Sequence, residues 1–292
     1  MTGQPGNASN KLNCPRGFSI DWSNTLYIAD QYNHRIQKYL KDASYGETVA
    51  GDATGMHGNA SNRLSHPCDV IVGSNSEIYI ADAFNHRVQL WNQNAMNGTT
   101  IAGTTGIAGD ALDQFQIPYG IAHDPVENAI YVADTGNNRV MYYRVGIKNG
   151  TIVAGNSTGG MNAAQLNGPL GIYFDEISKS MFIANYLGNN VVRWTLGASN
   201  WTLIAGDFNG ASGQTANRFN QSTDVILDPM GSVYVTDGAN SRVQFFLASE
   251  YESNGTTIAS LLNFPISLVL DSQLNLYVSD WLNHRVQKYL RY

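Results

Sequence analysis

One short sequence pattern occurs six times along this chain, and the repetition restricts the possible folds more than any other feature. Each copy has a β-prone run that ends in Asp or Asn, and the copies start at Leu26, Ile78, Ile130, Met181, Val233 and Leu276. Their spacings are 52, 52, 51, 52 and 43 residues. Four short β-prone runs per unit, separated by Gly, Asn, Asp or Pro clusters, are typical of a propeller blade. The sequence therefore predicts an all-β, six-bladed β-propeller with four-stranded blades, spanning residues 1–292 as a single domain.

Both ends of the chain fall inside a repeat. Residues 2–15 align with residues 54–67 at the same offset, and the last copy has no counterpart to the segment 48–51. We therefore expect the last blade to lack its outermost strand and to leave an open sheet edge. Charges near that edge, on Arg285, Lys288 and Arg291, would limit edge-to-edge pairing. Truncation of a longer protein is the favoured explanation.

Composition and charge argue against two classes of partner. Hydrophobic residues make up 43% of the chain and charged residues 14%, and the 29 glycines suit a packed protein rich in turns. The net charge of −6 repels the phosphates of nucleic acids. No apolar run reaches the roughly 18 residues that a membrane-spanning helix needs. We expect neither nucleic-acid binding nor membrane insertion.

Potential glycosylation sites are unusually frequent. About four Asn-x-Ser/Thr sequons are expected by chance at this composition, whereas the chain has eight, at Asn7, Asn59, Asn97, Asn149, Asn156, Asn200, Asn220 and Asn254. The excess predicts a secreted or extracellular glycoprotein. The alternative is that the repeat multiplied two accidental sequons.

Three repeats share an Asn-His-Arg motif that follows the Asp by three residues, as in Asn33-His34-Arg35, Asn85-His86-Arg87 and Asn283-His284-Arg285. With Leu-x-x-Pro upstream and Thr-(Ile/Val)-Ala-Gly downstream, these segments resemble the NHL repeat, and the resemblance covers the whole chain. It implies the propeller fold. The family includes RNA-binding modules, protein-interaction modules, sensor domains and an amidating lyase, so the resemblance does not specify a function.

The Asp and Arg of the motif are predicted to form structural ion pairs. Blade 4 has Asn185 in place of the Asp and Asn190 in place of the Arg, so both charges are absent together. Such a joint loss is expected for a buried pair, because one unpaired buried partner costs about 3–5 kcal/mol. The predicted pairs are Asp30 with Arg35, Asp82 with Arg87, Asp134 with Arg139, Asp237 with Arg242, and Asp280 with Arg285.

The motif histidines are better explained by hydrogen bonding than by metal binding. His34, His86 and His284 occupy one turn position. Asn138, Asn189 and Ser241 occupy that position in the other three repeats. Since these three residues also form hydrogen bonds but are poor metal ligands, a shared hydrogen bond suffices.

The first strand of each blade is expected to line the channel, and these strands start near Pro15, Pro67, Pro118, Pro169, Ser222 and Pro265. Asp69 and Asp224 follow two of these starts three blades apart, which predicts that they face each other. Two interpretations remain open: a calcium site completed by other oxygen ligands, or carboxylates that accept backbone amides. His66 and His123, the only histidines expected near the channel mouth, are too few for zinc. No cofactor is predicted apart from the possible calcium ion.

The two cysteines flank the first strands of neighbouring blades, Cys14 just before Pro15 and Cys68 just after Pro67. A disulfide between them would close a loop of about 54 residues and contribute roughly 4 kcal/mol. The alternative is two separate buried thiols.

The two faces of the propeller are predicted to differ. Sequons at Asn97, Asn149, Asn200 and Asn254 precede the fourth strands and would crowd one rim. The opposite face is expected to carry the long loops between blades and several aromatic turns. Aromatic side chains often anchor interfaces, although they could equally pack on a neighbouring blade. The predicted binding residues on this long-loop face and at the channel mouth are Arg16, Tyr32, Phe84, Tyr119, Tyr186 and Trp281.

These features favour a non-enzymatic binding module that recognises a protein, peptide or glycan through the long-loop face, as part of a larger extracellular protein. No catalytic residue is predicted. The alternative is a channel-centred, metal-dependent hydrolase or lyase that uses Asp69 and Asp224, as the resemblance to lactonase-like and amidating-lyase propellers implies.

Overall fold

The computed structural model describes residues 3–248, 251 and 254–291. Met1, Thr2 and Tyr292, at the ends of the predicted domain, lie outside this range. Within it, β-strands form six antiparallel sheets, each built from consecutive strands. The six-bladed propeller is confirmed, with four strands in blades 1–5 and three in blade 6.

The strands of each blade follow one another from the channel outward. Blade 1 contains β1 (Pro15–Ile20), β2 (Leu26–Asp30), β3 (Arg35–Tyr39) and β4 (Glu47–Gly51). Blade 2 contains β5 (Pro67–Val72), β6 (Ile78–Asp82), β7 (Arg87–Trp91) and β8 (Thr99–Gly103). Blade 3 contains β9 (Pro118–Asp124), β10 (Ala129–Asp134), β11 (Arg139–Arg144) and β12 (Thr151–Gly155).

The same order holds in the second half of the ring. Blade 4 contains β13 (Pro169–Asp175), β14 (Ser180–Asn185), β15 (Asn190–Thr195) and β16 (Thr202–Gly206). Blade 5 contains β17 (Ser222–Leu227), β18 (Val233–Asp237), β19 (Arg242–Phe246) and β20 (Thr256–Ala259). Blade 6 contains β21 (Pro265–Leu270), β22 (Leu276–Asp280) and β23 (Arg285–Tyr289).

The inner strands close the ring. Each of them packs against the inner strand of the next blade, and β21 packs against β1. Apolar side chains fill the space between blades, as where Ile36 and Leu64 meet Val70 and Ile80. Every blade therefore packs its faces on two neighbours around the closed ring. No helix among the described residues is long and apolar enough to cross a bilayer.

Every blade has the same short turn between its second and third strands. We call these 3₁₀ turns the motif turns: Gln31–Asn33, Ala83–Asn85, Thr135–Asn137, Tyr186–Gly188, Gly238–Asn240 and Trp281–Asn283. The next residue in each blade is left-handed, with φ between 49° and 57°. Asn and His tolerate this conformation better than most residues. The motif turns and the starts of the inner strands lie at the same end of the blades, which we call the upper face.

All five predicted ion pairs form, with Nε–Oδ2 distances of 2.7–2.9 Å. In blade 3, Arg139 also donates to the carbonyl oxygens of Asp110, Ala111 and Gln114, in the loop that precedes its blade. Asp134 accepts the backbone N–H of Gln116 at 2.7 Å. Each pair therefore ties a motif turn to the loop that leads into its own blade.

Blade 4 replaces the ion pair with neutral hydrogen bonds. The Oδ1 of Asn185 accepts the N–H of Asn167 at 2.6 Å, and the Nδ2 of Asn190 donates to the carbonyl of Asp207 at 3.0 Å. The other amide atoms, Nδ2 of Asn185 and Oδ1 of Asn190, are buried without a partner among the described residues. The two substitutions preserve the connection to the loop while removing both charges.

The motif histidines connect successive blades. The Nδ1 of His34 accepts the backbone N–H of His66 at 3.1 Å, and His86 accepts that of Ile117 at 3.2 Å. In blade 6, His284 accepts the N–H of Cys14 at 3.1 Å, across the junction that closes the ring. Asn138 makes the equivalent bond to the N–H of Gly168. Hydrogen bonding thus accounts for these histidines, as the sequence predicts.

Candidate ligand-binding site at the channel mouth

The residues that follow the inner-strand starts surround a narrow space in the channel. Two residues from each blade contribute: Arg16, Gly17, Cys68, Asp69, Tyr119, Gly120, Leu170, Gly171, Thr223, Asp224, Ile266 and Ser267. The space has a volume of only about 20 Å³, which accommodates about one water molecule. A larger ligand therefore has to bind above the channel.

Asp69 and Asp224 both face this space, and each accepts two backbone amides. The carboxylate of Asp69 accepts the N–H of Val70 and that of Ile121 in the next blade, both at 2.9 Å. Asp224 accepts those of Val225 at 2.9 Å and of Leu268, also in the next blade, at 3.2 Å. This is the geometry of the amide-capping interpretation. The described residues contain no group of three or more His, Cys, Asp or Glu side chains arranged to hold a metal ion.

Burial raises the pKa of Asp69 to about 8, and the nearby charge of Asp224 contributes to the rise. Burial likewise raises the pKa of Asp224 to about 7. Glycine makes room for both carboxylates, since a Cβ on Gly17 would lie 2.2 Å from Oδ1 of Asp69, and one on Gly171 would lie 2.1 Å from Oδ1 of Asp224. The channel is therefore packed around two weakly acidic carboxyl groups.

A larger cavity of about 450 Å³ opens beside the channel on the upper face. We call it the cup, and its principal walls are Arg16, Tyr119, Tyr186, Leu187, Phe264 and Trp281. Tyr186 and Trp281 are the first residues of their motif turns. The Nε1 of Trp281 donates to Oε1 of Gln31 at 3.2 Å, and the ring centroids of Phe264 and Trp281 are 5.8 Å apart. The cup thus combines several aromatic rings with one cation.

Arg16 lies between the cup and the channel. Its guanidinium carbon is 4.1 Å from the centroid of the Tyr119 ring, which places the cation over the aromatic face. Arg16 is only 8% exposed. Nevertheless its side chain forms no hydrogen bond or ion pair with any described residue. By contrast, all five motif arginines bind an Asp, and four of them also bind loop carbonyls.

The structure separates the six predicted binding residues into two groups. Arg16, Tyr119, Tyr186 and Trp281 converge on the cup. Tyr32 and Phe84 are the second residues of their motif turns and pack around His66 instead. They are 46% and 50% exposed, so they lie on the same face but outside the cup.

Sequence reasoning missed Phe264 as a cup residue. It directly precedes the inner strand of blade 6 and has a φ of 55°. The equivalent residues in the other blades, such as His66 and Ile117, also adopt positive φ values. The sequence could have indicated Phe264 through its position, because the residue just before each inner strand lies at the channel mouth.

The predicted disulfide between Cys14 and Cys68 is wrong, because both cysteines are free and buried. The sulfur of Cys14 points to blade 6, 3.6 Å from Nδ1 of His284. The sulfur of Cys68 contacts Nε2 of Gln31 at 3.5 Å. Since the two side chains point to different neighbours, the alternative of two separate buried thiols applies.

Only one of the two histidines expected near the channel mouth lies there. In the pairing of β9 with β10, Pro118 lies opposite Asp134 at the mouth end, and His123 lies opposite Ile130. His123 therefore lies toward the other end of the channel. His66 does lie on the upper face, but it stacks with Phe84 at a centroid distance of 4.3 Å. Neither histidine joins the two channel carboxylates in one site.

The inter-blade loops, 51–66, 103–117, 155–168 and 206–221, do not remain on the upper face as predicted. The carbonyl of Ser61 accepts the N–H of Gly98 at 2.8 Å, and that of Ala163 accepts the N–H of Trp201 at 2.8 Å. Gly98 and Trp201 lie in the turns before the fourth strands, at the lower end of the blades. Motif arginines hold three of these loops along the blade sides, and Asn185 binds the fourth. The exposed upper face therefore consists mainly of motif turns and the channel mouth.

Comparisons with known proteins agree with this architecture. The family model described as "NHL repeat" matches residues 12–39 and 262–289. Human NHL repeat-containing protein 2 is 25% identical over 283 residues, which cover 80% of this chain and 39% of that protein. Mouse peptidyl-glycine alpha-amidating monooxygenase is 21% identical over 240 residues, which cover 81% of this chain and 24% of that protein.

Solved structures give the same result for the fold. A Bacteroides thetaiotaomicron protein of unknown function aligns with a TM-score of 0.72 at 15% identity, covering 99% of this chain and 73% of that one. At this identity the likeness concerns the fold alone. The chain spans well under half the length of the curated relatives named above. The sequence motifs, the motif turns and these matches together show an NHL-repeat β-propeller.

Proposed function

We propose that this propeller is a non-enzymatic binding module that recognises a protein, peptide or glycan through its upper face, with the cup as the contact site. The observation that carries the proposal is the convergence of Tyr119, Tyr186, Phe264 and Trp281 on one open cavity. Concave sites of about 300–1,000 Å³ lined by aromatic side chains are typical of ligand binding. The channel itself holds too little space for such a ligand.

The proposal predicts that replacing both Tyr186 and Trp281 with Ser weakens binding of aromatic fragments at least about tenfold, since each ring contributes on the order of 1 kcal/mol or more. Ligand-observed NMR against a fragment library measures this. The matched control replaces Tyr32 and Phe84 with Ser, because these rings occupy adjacent positions of equivalent turns outside the cup. Equal loss in both variants, or binding that neither variant changes, would contradict the proposal.

The enzymatic alternative rests on Asp69 and Asp224, the two carboxyl groups of raised pKa in the channel. The enzymatic alternative would replace the binding proposal if the wild-type chain hydrolysed simple lactones. That activity would have to be lost in Asp69→Asn/Asp224→Asn and retained in Tyr186→Ser/Trp281→Ser. The binding proposal is favoured because all four carboxylate oxygens already accept backbone amides.

An extracellular setting, within a larger glycoprotein, is part of the same proposal. Seven of the eight sequon asparagines are exposed, and Asn220 is half-buried. Asn97, Asn149, Asn200 and Asn254 lie at the lower end of the blades, so glycans there would leave the cup open. Expression through a eukaryotic secretory pathway is expected to give a product whose mass falls on treatment with peptide-N-glycosidase. An unchanged mass would count against glycosylation.

A further inference from the structure

We infer that the cup receives a carboxylate attached to an apolar organic group, with the Arg16 guanidinium as the group that binds the carboxylate. The inference rests on the proposed function of the cup and specifies the chemistry of its ligand. It starts from an unexplained feature, a buried arginine that faces a cavity and has no acceptor among the described residues.

The Arg16 guanidinium has no hydrogen-bond acceptor among the described residues. Burying a charged group without a partner is costly, and the buried motif arginines Arg35, Arg87 and Arg139 show how this chain satisfies a buried guanidinium. Arg35, for example, binds Asp30 and the carbonyls of Asn7, Ala8 and Lys11. Arg16 has no such set, although it is 8% exposed. Its donors are therefore available to an anion that enters the cup.

The neighbouring carboxyl groups do not neutralise Arg16. Both oxygens of Asp69 accept backbone amides from Val70 and Ile121. Burial raises the pKa of Asp69 to about 8 even though the nearby Arg16 charge acts to lower it, so burial favours the neutral carboxyl group. Among the described residues, Arg16 is the only basic side chain that lines either the channel space or the cup. A positive charge therefore persists at the junction of the two cavities.

The shape of the donor group selects the anion. A planar guanidinium presents parallel N–H groups that match the two oxygens of a carboxylate. A phosphate dianion would call for further cationic groups, and the cup has none. The hydroxyl of Thr135, which also lines the cup, already donates to the carbonyl of Pro169 at 2.6 Å. One arginine with aromatic walls thus fits a monocarboxylate.

The walls select the rest of the ligand. Tyr186, Leu187, Phe264 and Trp281 form an apolar and aromatic surface next to Arg16. A ligand with a carboxylate at one end and an aromatic or branched aliphatic group at the other would contact both. Two sources have this chemistry, a small organic acid and the C-terminal residue of a peptide.

The test compares acids with their amides by isothermal titration calorimetry. The probes are 3-phenylpropionate, 3-phenylpropionamide, and the peptide acetyl-Ala-Ala-Phe with a free or an amidated C-terminus. The wild-type chain is expected to bind at least one acid about tenfold more tightly than its amide, as a charge-assisted bidentate contact implies. Tighter binding of 3-phenylpropionate would indicate a small organic acid as the source, and tighter binding of the peptide acid would indicate a peptide C-terminus.

Arg16→Gln is expected to reduce the acid-to-amide ratio to near one, while the control Phe84→Ser leaves it unchanged. Thermal melts establish that both variants are folded. If Arg16→Gln does not fold, Arg16→Lys replaces it, and its ratio should lie between one and the wild-type value because Lys keeps the charge but loses the planar fork.

Three results would overturn the inference, and they differ in what else they affect. Equal binding of acid and amide in the cup of the wild-type chain would refute the carboxylate assignment and leave the cup as a binding site. The carboxylate assignment would also be refuted if inorganic phosphate displaced both acids as strongly as each acid displaces the other. Failure of every probe to bind, acid or amide, would count against the inference and the proposed function together.

Discussion

Replacement of Asp134 with Asn is expected to lower the free energy of unfolding by about 3–5 kcal/mol, because it leaves a buried guanidinium without its counter-charge. Arg139 is 1% exposed and binds Asp134 at 2.7 Å. Its remaining partners are backbone carbonyls, which do not carry the opposite charge. Urea unfolding followed by tryptophan fluorescence measures the change.

The chain supplies its own control for this experiment. Blade 4 carries Asn185 and Asn190 at the positions of the pair and forms neutral hydrogen bonds there. The double variant Asp134→Asn/Arg139→Asn reproduces that arrangement in blade 3. We expect it to be more stable than Asp134→Asn alone, although it has two substitutions. A double variant that loses the sum of the two single losses would show that the pair is not coupled.

The second large effect concerns pH and the channel carboxyl groups. The pKa values of Asp69 and Asp224 in the folded protein, about 8 and about 7, lie above the value of about 3.9 for an unfolded Asp. The folded state therefore binds more protons than the unfolded state across this window. The contribution of Asp69 and Asp224 to the free energy of unfolding is fully present below about pH 4. It is lost as the pH rises through their folded-state pKa values of about 8 and about 7.

The variant Asp69→Asn/Asp224→Asn removes this dependence, because the amide resembles the protonated carboxyl group. Relative to the variant, the wild-type protein should lose about 1 kcal/mol of unfolding free energy per pH unit for each carboxyl group between about pH 5 and pH 7. Taking the difference cancels the contribution of the histidines, and the exposed Glu176→Gln serves as the control. A channel-bound calcium ion would reverse the result, since it stabilises the ionised carboxylates of the wild-type protein at high pH.

The repeat made the fold and the composition of the channel predictable. Six copies in register place equivalent residues at equivalent heights, so the starts of the inner strands identify the residues that surround the channel. The ion pairs were predictable for a related reason. Asn185 and Asn190 depart from the pattern together, and such a paired departure reveals a contact that a single sequence otherwise hides.

The details of the cup were not predictable in the same way. Tyr32 and Leu187 both occupy the second position of a motif turn, but Leu187 lines the cup and Tyr32 does not. The sequence does not show which way a side chain leaves a 3₁₀ turn. For the same reason it did not show that Cys14 and Cys68 point to different blades. The loops were misplaced because their path depends on backbone hydrogen bonds such as that from Trp201 to Ala163, which leave no trace in residue types.

The most direct test of the account is a crystal structure of the chain in complex with 3-phenylpropionate. The account predicts the ligand in the cup, with its carboxylate about 3 Å from the guanidinium of Arg16 and its ring against Tyr186 and Trp281. A ligand bound instead against Asp69 and Asp224 in the channel, or at the lower end of the blades, would contradict it.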